Sequence, residues 1–265
     1  DYAVTGVQTC ALPIYKQTLD AIKSPIIFYA LGFDLGQGYS ESNKTKFKNF
    51  MDHLIANSER YFISFRNDGA IGNLKSLYGD VYDGHVSMIP DAGFFAESEE
   101  MVPVEKEAMP YVAINLAGDM LDKRLVSYQG GTDKFVEQFA ALMDWVIEEH
   151  GYEVVFVPHI FRDVDIIYKV IDQMKDKNRR KWVKIASYLT GDHGFNVIHN
   201  VYKHADLILA NRFHANIFGL RSSVDTIGLV NYPQIKYLYD EVESRHFVDI
   251  DIENRSEERR VGKEC

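Results

Sequence analysis

Apolar runs alternate with amphipathic stretches along most of this chain. Ile26 to Ala30 reads as a strand, and Lys46 to Ser58 as a helix turning Phe47, Phe50, Met51, Leu54 and Ile55 inward. Tyr61 to Phe65 is the next strand, followed by a short helix around Leu74 to Tyr78 and a short strand Val86 to Ile89, closed by Pro90-Asp91. Ala96 to Met109 (AESEEMVPVEKEAM) is acidic, lacks a sustained apolar period and carries Pro103, so it reads as a linker. The alternation then restarts: strand Tyr111 to Leu116, helix Lys134 to Glu149, strand Glu153 to Val157, helix Val164 to Met174, strand Val183 to Ala186 and helix Phe195 to Tyr202. Strand Leu207 to Ala210, a helix over 213–220, strand Thr226 to Val230, a helix near Ile235 to Val242 and strand Phe247 to Ile250 complete the pattern. Alternation of this kind predicts parallel sheets covered on both faces. Two such runs with a linker between them predict an α/β protein of two Rossmann-like domains facing a cleft.

The two ends fall outside this pattern. VTGVQTCALPI (Val4 to Ile14) resembles the conceptual translation of a common short-read sequencing adapter, and RSEERRVGKEC (Arg255 to Cys265) that of its partner read. Residues 1–14 and 255–265 are therefore set aside from fold reasoning, leaving 15–107 as a truncated N-terminal domain and 108–254 as the C-terminal one. Both cysteines, Cys10 and Cys265, lie in these tails, so disulfides, thiolate nucleophiles and cysteine-ligated zinc are excluded for the remainder. The tails hold four basic and four acidic residues, so the net charge stays at −10 without them.

An acidic balance argues against a general nucleic-acid binder, which carries a basic stripe. It leaves room for an anionic small substrate, because a few local cations define such a site on an acidic protein. No run approaches the roughly 20 apolar residues of a membrane span, and no secretory signal is visible. The expected setting is cytoplasmic.

Four predicted strand ends carry polar groups. Arg66, Asn67 and Asp68 follow the strand Tyr61 to Phe65; an arginine there clamps a carboxylate or phosphate, or simply pairs locally with Asp68. Pro158-His159 ends another strand, with Arg162, Asp163 and Asp165 opening a helix; His159 is a site candidate, whereas Asp163 reads as a helix cap. In LILANRFHANIFGL (207–220) a buried strand breaks at Asn211-Arg212-Phe213-His214 and resumes as a helix. Ligands of open α/β sheets sit at such strand ends, against helix N-termini. Residues two apart on a helix point away from one another, so Arg212 and His214 cooperate only if the turn precedes the regular helix. Finally, Asn231-Tyr232-Pro233 follows a strand, with Lys236 just beyond. Phosphate-loop, dinucleotide, zinc-protease and serine-hydrolase motifs are absent, and LGFDLGQG (Leu31 to Gly38) has the wrong spacing for any of them.

Taken in order, ISFRNDG, IPDAGFF, VVFVPH, LILANRFHANIFGL and TIGLVNYPQIKYLYDE resemble the polysaccharide pyruvyl transferase family. They span Arg66 to Glu241, and NRFHAN with NYPQIK is the most specific part. IPDAGFF departs mildly from the usual aspartate-proline form, and the family's first strand and glycine-rich turn are expected upstream of this chain. The resemblance implies a GT-B-like fold with an acceptor-side N-terminal domain and a donor-side C-terminal domain. It implies transfer of pyruvate from phosphoenolpyruvate to a sugar diol as a ketal, the acceptor being a sugar or lipid-linked oligosaccharide. Arg66 and Arg212 would hold the donor, with Asn211 and Lys236 in the same binding set, and His214 would protonate the methylene carbon. His159 is a second acid–base candidate. This chemistry demands no metal and no cofactor beyond the donor substrate, and it suits an enzyme working at the inner membrane face without an integral membrane segment. Two other readings share the strand-end cations: a GT-B-type glycosyltransferase with a nucleotide-sugar donor, and a non-catalytic phosphosugar- or glycan-binding protein.

Overall fold

In a computed structural model, residues 16–36, 38–99, 109–125, 128, 130–188 and 191–250 are described. The two tails with their cysteines, residues 100–108 of the expected linker and the domain boundary expected at 107/108 lie outside the described residues. The chain packs as two compact units divided between Ala92 and Gly93.

The first unit opens with helix α1 (Lys16–Ala21) and carries a three-stranded parallel sheet. Strands β1 (Ile26–Leu31), β2 (Tyr61–Arg66) and β3 (Ser87–Ile89) lie in that order, with α2 (Glu41–Ala56) and α3 (Ala70–Tyr78) as connections. Helix α2 begins five residues before the apolar period suggests. Its N-cap is Ser40, whose hydroxyl accepts from the Asn43 N–H at 3.1 Å, so a polar first turn is held by capping rather than by burial. Phe47, Met51 and Leu54 of α2 and Leu74 of α3 bury against Phe28, Ile63 and Phe65. The opposite face carries Ile27, Tyr29 and Phe62, all exposed, with Ile27 paired to Phe62 across β1 and β2. Coverage on both faces, expected from the continuous apolar runs, is therefore met on one face only among the described residues.

The second unit holds a six-stranded, all-parallel sheet in the order β6-β5-β4-β7-β8-β9. Its strands are β4 (Tyr111–Asn115), β5 (Glu153–Phe156), β6 (Val183–Ile185), β7 (Leu207–Ala210), β8 (Thr226–Val230) and β9 (Phe247–Asp249). The helices are α4 (Leu121–Arg124), α5 (Gly131–His150), α6 (Asp163–Gln173), α7 (Asp176–Lys181), α8 (Gly191–Lys203), α9 (Phe213–Ser222) and α10 (Pro233–Glu241). The pleat sends alternate residues of β4 to opposite faces. Val112 and Ile114 join Met143 of α5 and Ile167 of α6, while Ala113 joins Ile198 and Tyr202 of α8 and Phe218 of α9. A second face bare in the first unit is thus covered here. Truncating a fully buried side chain such as Met143 would cost roughly 2–5 kcal/mol. Helices α4 and α7 escape the apolar pattern because LDKR and DKNRRK have almost no apolar residue to reveal a period.

This strand order is the Rossmann arrangement, and it reverses direction between β4 and β7. Ligands bind such sheets beyond the carboxyl ends of the strands at that reversal. Asn115 and the Asn211-Arg212 turn sit there.

Candidate functional site

Asparagines build the floor of the site. Asn115, fully buried at the end of β4, accepts from the Arg212 N–H at 2.9 Å and donates to the Val157 carbonyl at 3.0 Å. Asn211 accepts from the Ala117 N–H at 3.0 Å and from Asn231 Nδ2 at 3.1 Å, and donates to the Leu229 carbonyl at 2.9 Å. These bonds tie the carboxyl ends of β4, β5, β7 and β8 together. Asn211 is buried, with its amide committed to the protein itself. Asn216 continues the brace, donating to the Ala210 and Arg212 carbonyls at 3.1 and 2.8 Å and accepting from the Tyr239 hydroxyl at 2.9 Å.

Arg212 is extended (φ −102°, ψ 147°) and caps α9, so the turn does precede the regular helix and the helical opposition of positions two apart does not apply. Its guanidinium is gripped by two carboxylates: Nε lies 2.9 Å from Asp163 Oδ2, and Nη2 lies 2.5 Å from Asp163 Oδ1 and 2.5 Å from Asp119 Oδ1. Among the described residues Nη1 carries no hydrogen bond. Burial works against the charge, but the hydrogen bonds and attraction of Asp163 and Asp119 outweigh it and hold the pKa above the ordinary arginine value.

Asp163 is fully buried and does not cap α6. Its oxygens accept from the N–H groups of Gly118 (2.9 Å), His159 (2.9 Å) and Ile160 (3.2 Å), all preceding it in the chain. The capping role suggested by its position at the helix start is replaced by orientation of Arg212. A carboxylate with this many donors needs no further partner. The approach of the two loops is close: a Cβ on Gly118 would lie 1.9 Å from the Arg162 carbonyl oxygen.

His159 is half-buried, its Nε2 2.8 Å from the hydroxyl of fully buried Tyr202. Burial pulls its pKa below the ordinary histidine value; the Arg212 and His214 charges push the same way, against Asp163. His214 is exposed in the first turn of α9, its ring centroid 5.6 Å from that of Phe213. Lys236 is exposed on α10, which starts at Pro233 beyond β8. His159, Asn211, Arg212 and His214 therefore gather around the β4–β7 reversal.

Arg66 belongs to the first unit. There Nε lies 2.6 Å from Asp68 Oδ2 and Nη1 3.2 Å from Asp91 Oδ2, while Asn67 accepts from the Asp91 N–H at 3.0 Å. The local pair with Asp68 is thus present, joined by a second carboxylate from beyond β3. The guanidinium lies close over Gly32, where a Cβ would meet Nη2 at 2.9 Å. Burial raises the pKa of Asp68 despite the opposing attraction of Arg66.

Asp119 and Arg124 stand beside Arg212 at this edge, and the sequence pattern does not disclose them. Arg124 donates from Nε to the Asp119 carbonyl at 3.1 Å and from Nη1 to Asn231 Oδ1 at 3.4 Å, and its guanidinium lies 5.1 Å from the centre of the Tyr232 ring. Burial pushes the Asp119 pKa up, but the charges of Arg212 and Arg124 together outweigh it and hold the pKa below the ordinary aspartate value. Nothing in the spacing of LAGDMLDKR marks these residues, because their partners outside that segment come from two other strand ends, those of β7 and β8.

Solved structures share the architecture. The chain is similar to Methanocaldococcus jannaschii UDP-GlcNAc 2-epimerase, seen in complex with UDP-GlcNAc and UDP, at a TM-score of 0.50 and 16% identity, covering 77% of this chain and 54% of that one. It is similar to the apo structure of OtsA at a TM-score of 0.50 and 9% identity, covering 94% of this chain and 62% of that one. At these identities the likeness is one of fold, which is GT-B-like α/β with Rossmann-like units. The chain spans between about half and two thirds of the length of these two proteins. No protein of curated function matches it. At the level of sequence, residues 13–232 match the profile of the polysaccharide pyruvyl transferase family. The chain belongs to that family.

Proposed function

We propose that this chain transfers pyruvate from phosphoenolpyruvate to a sugar diol as a ketal, in polysaccharide or glycoconjugate biosynthesis. The observation that carries the reading is Arg212. A guanidinium locked by a buried carboxylate, at the N-terminus of α9 and beside the strand-order reversal, presents Nη1 to an anion. His214 stands two residues on, in the first turn of α9.

In this reading the His214 imidazolium gives its proton to the methylene carbon of the enol, and the adjacent carbon becomes electrophilic. One sugar hydroxyl adds there and releases its proton, which returns to the histidine. The carbon–oxygen bond to phosphate then breaks, its electron pair leaving with phosphate. The second hydroxyl closes the ketal, and its proton goes to the released phosphate. His159, held neutral by burial, is suited to accept a hydroxyl proton rather than to deliver one. Lys236 adds a point charge for the donor, Arg66 serves as an anion clamp of the first unit, and Asn211 braces the turn that presents Arg212. The acceptor is a sugar or lipid-linked oligosaccharide, met on the cytoplasmic side of a membrane; no described helix is long and apolar enough to cross one.

The test is thermal stability titrated separately with phosphoenolpyruvate and a panel of nucleotide sugars, with Arg212→Ala alongside. A shift with phosphoenolpyruvate alone, lost in the variant, supports pyruvyl transfer. A shift with a nucleotide sugar instead moves the assignment to glycosyl transfer. For the acid role, His214→Ala turning over at the wild-type rate under saturating donor would rule it out.

A further inference from the structure

Two guanidiniums share one carboxylate at the carboxyl edge of the second sheet. Asp119 Oδ1 lies 2.5 Å from Arg212 Nη2, and Asp119 Oδ2 lies 3.7 Å from Arg124 Nη2. One oxygen on each cation is the pattern a phosphate or carboxylate ligand makes when two arginines bind it.

The two aspartates around Arg212 differ in kind. Asp163 is 0% exposed and takes three backbone N–H groups besides the arginine, so it belongs to the frame. The Asp119 side chain is 20% exposed, and its two oxygens face the two arginines, hydrogen-bonded to Arg212 and ion-paired with Arg124. Arg124 is supported from three sides, by the Asp119 carbonyl, Asn231 and the Tyr232 ring, which leaves Nη2 facing the carboxylate. The side chains of Arg124 and Arg212 are 9% and 14% exposed, shielded yet reachable by a small solute.

We propose that Arg124 is a second cationic ligand for the anionic donor, and that Asp119 occupies the donor's anion position, joining the two arginines until an anionic group takes its place. This rests on the reading of Arg212 as a donor ligand. Two arginines against Asp163 and Asp119 form a balanced set; once Asp119 swings out to solvent, the pair regains a net positive charge where the donor's phosphate or carboxylate sits. Asp119 then acts as a competitor built into the chain, and its removal strengthens anion binding. A carboxylate that merely supported the arginines would have the opposite effect.

The experiment titrates the full chain and its variants with phosphoenolpyruvate and with inorganic phosphate by calorimetry, with the melting temperature of each unliganded variant as the folding control. Arg124→Gln is expected to weaken phosphoenolpyruvate by roughly tenfold or more, the size of a lost hydrogen-bonded charge contact. Arg124→Lys, which keeps the charge, is expected to recover part of that loss. Asp119→Asn is expected to tighten both anions severalfold. Weaker anion binding by folded Asp119→Asn would overturn the competitor role, and unchanged binding by Arg124→Gln would overturn the ligand role. In either case loss of binding in Arg212→Ala would leave the donor-site reading standing. Wild-type affinity in Arg212→Ala, or no binding of either anion by the wild-type chain, would overturn that reading and this inference with it.

Discussion

Asp163 and Arg212, 49 positions apart, meet through both carboxylate oxygens, at 2.9 Å to Nε and 2.5 Å to Nη2. The aspartate is fully buried, so its charge has no recourse to water. Removing Asp163 leaves the Arg212 guanidinium with Asp119 as its carboxylate partner, and each charge-assisted hydrogen bond lost costs about 1.5–3 kcal/mol. Asp163→Ala also strands the N–H groups of Gly118, His159 and Ile160. The variant is expected to unfold at markedly lower urea concentration than wild type. A midpoint indistinguishable from wild type would show that the carboxylate does not hold the site together.

Gly118 gives a second, independent check on that junction. A methyl group there would sit 1.9 Å from a backbone oxygen, which no side-chain rotation relieves. Gly118→Ala is expected to cost about 1–3 kcal/mol, the usual range for overpacking. Gly72 on α3 has open space around it, so Gly72→Ala should instead stabilise by roughly 0.5–1 kcal/mol through helix propensity. Chemical denaturation of the two variants side by side reads the contrast, and equal effects would refute it.

The pH dependence of stability follows from His159. The folded chain holds this imidazole neutral to well below the ordinary value of 6.5, whereas the unfolded chain takes up a proton there. Stability is therefore full above that pH and falls as pH drops below it, by up to about 1.4 kcal/mol per pH unit for one proton. His199, which burial and the Arg221 and Lys203 charges also shift downward, adds to the same slope. His159→Gln should flatten the profile between pH 6 and 5. A variant as acid-sensitive as wild type would place the proton elsewhere.

Most strands and long helices were legible in the sequence because buried parallel strands are short continuous apolar runs and their helices carry one apolar face. The same feature misled at Ile26-Ile27 and Tyr61-Phe62, where runs that read as buried on both faces have one face exposed. Arg212 and His214 were legible because charge interrupts a strand-to-helix junction at its most apolar. Asp163 was visible only as a helix opener, and Asp119 and Arg124 not at all. Their partners lie up to 107 positions away, and only the strand order β5-β4-β7-β8 brings them to one edge. Local spacing carries no trace of such pairings.

Asn211 separates a brace from a ligand. Its Oδ1 accepts from Ala117 and Asn231 while Nδ2 donates to Leu229, so every bond it makes joins strand ends. Asn211→Ala leaves the Ala117 N–H and the Leu229 carbonyl without these partners, at about 1–3 kcal/mol for each buried group left unsatisfied. Asn211→Asp keeps the acceptor for Ala117 and Asn231 but loses the donor to Leu229, and it introduces a charge next to Arg212. A brace predicts that both variants lower the melting temperature, and that folded Asn211→Ala binds phosphoenolpyruvate within a few-fold of wild type. A direct ligand predicts the reverse: little change in melting, and a loss of donor affinity of roughly tenfold or more, the size of a hydrogen bond to a charged group. Calorimetry on the folded fraction, beside a melting curve of the same sample, decides between them. The buried amide and its three protein partners favour the brace.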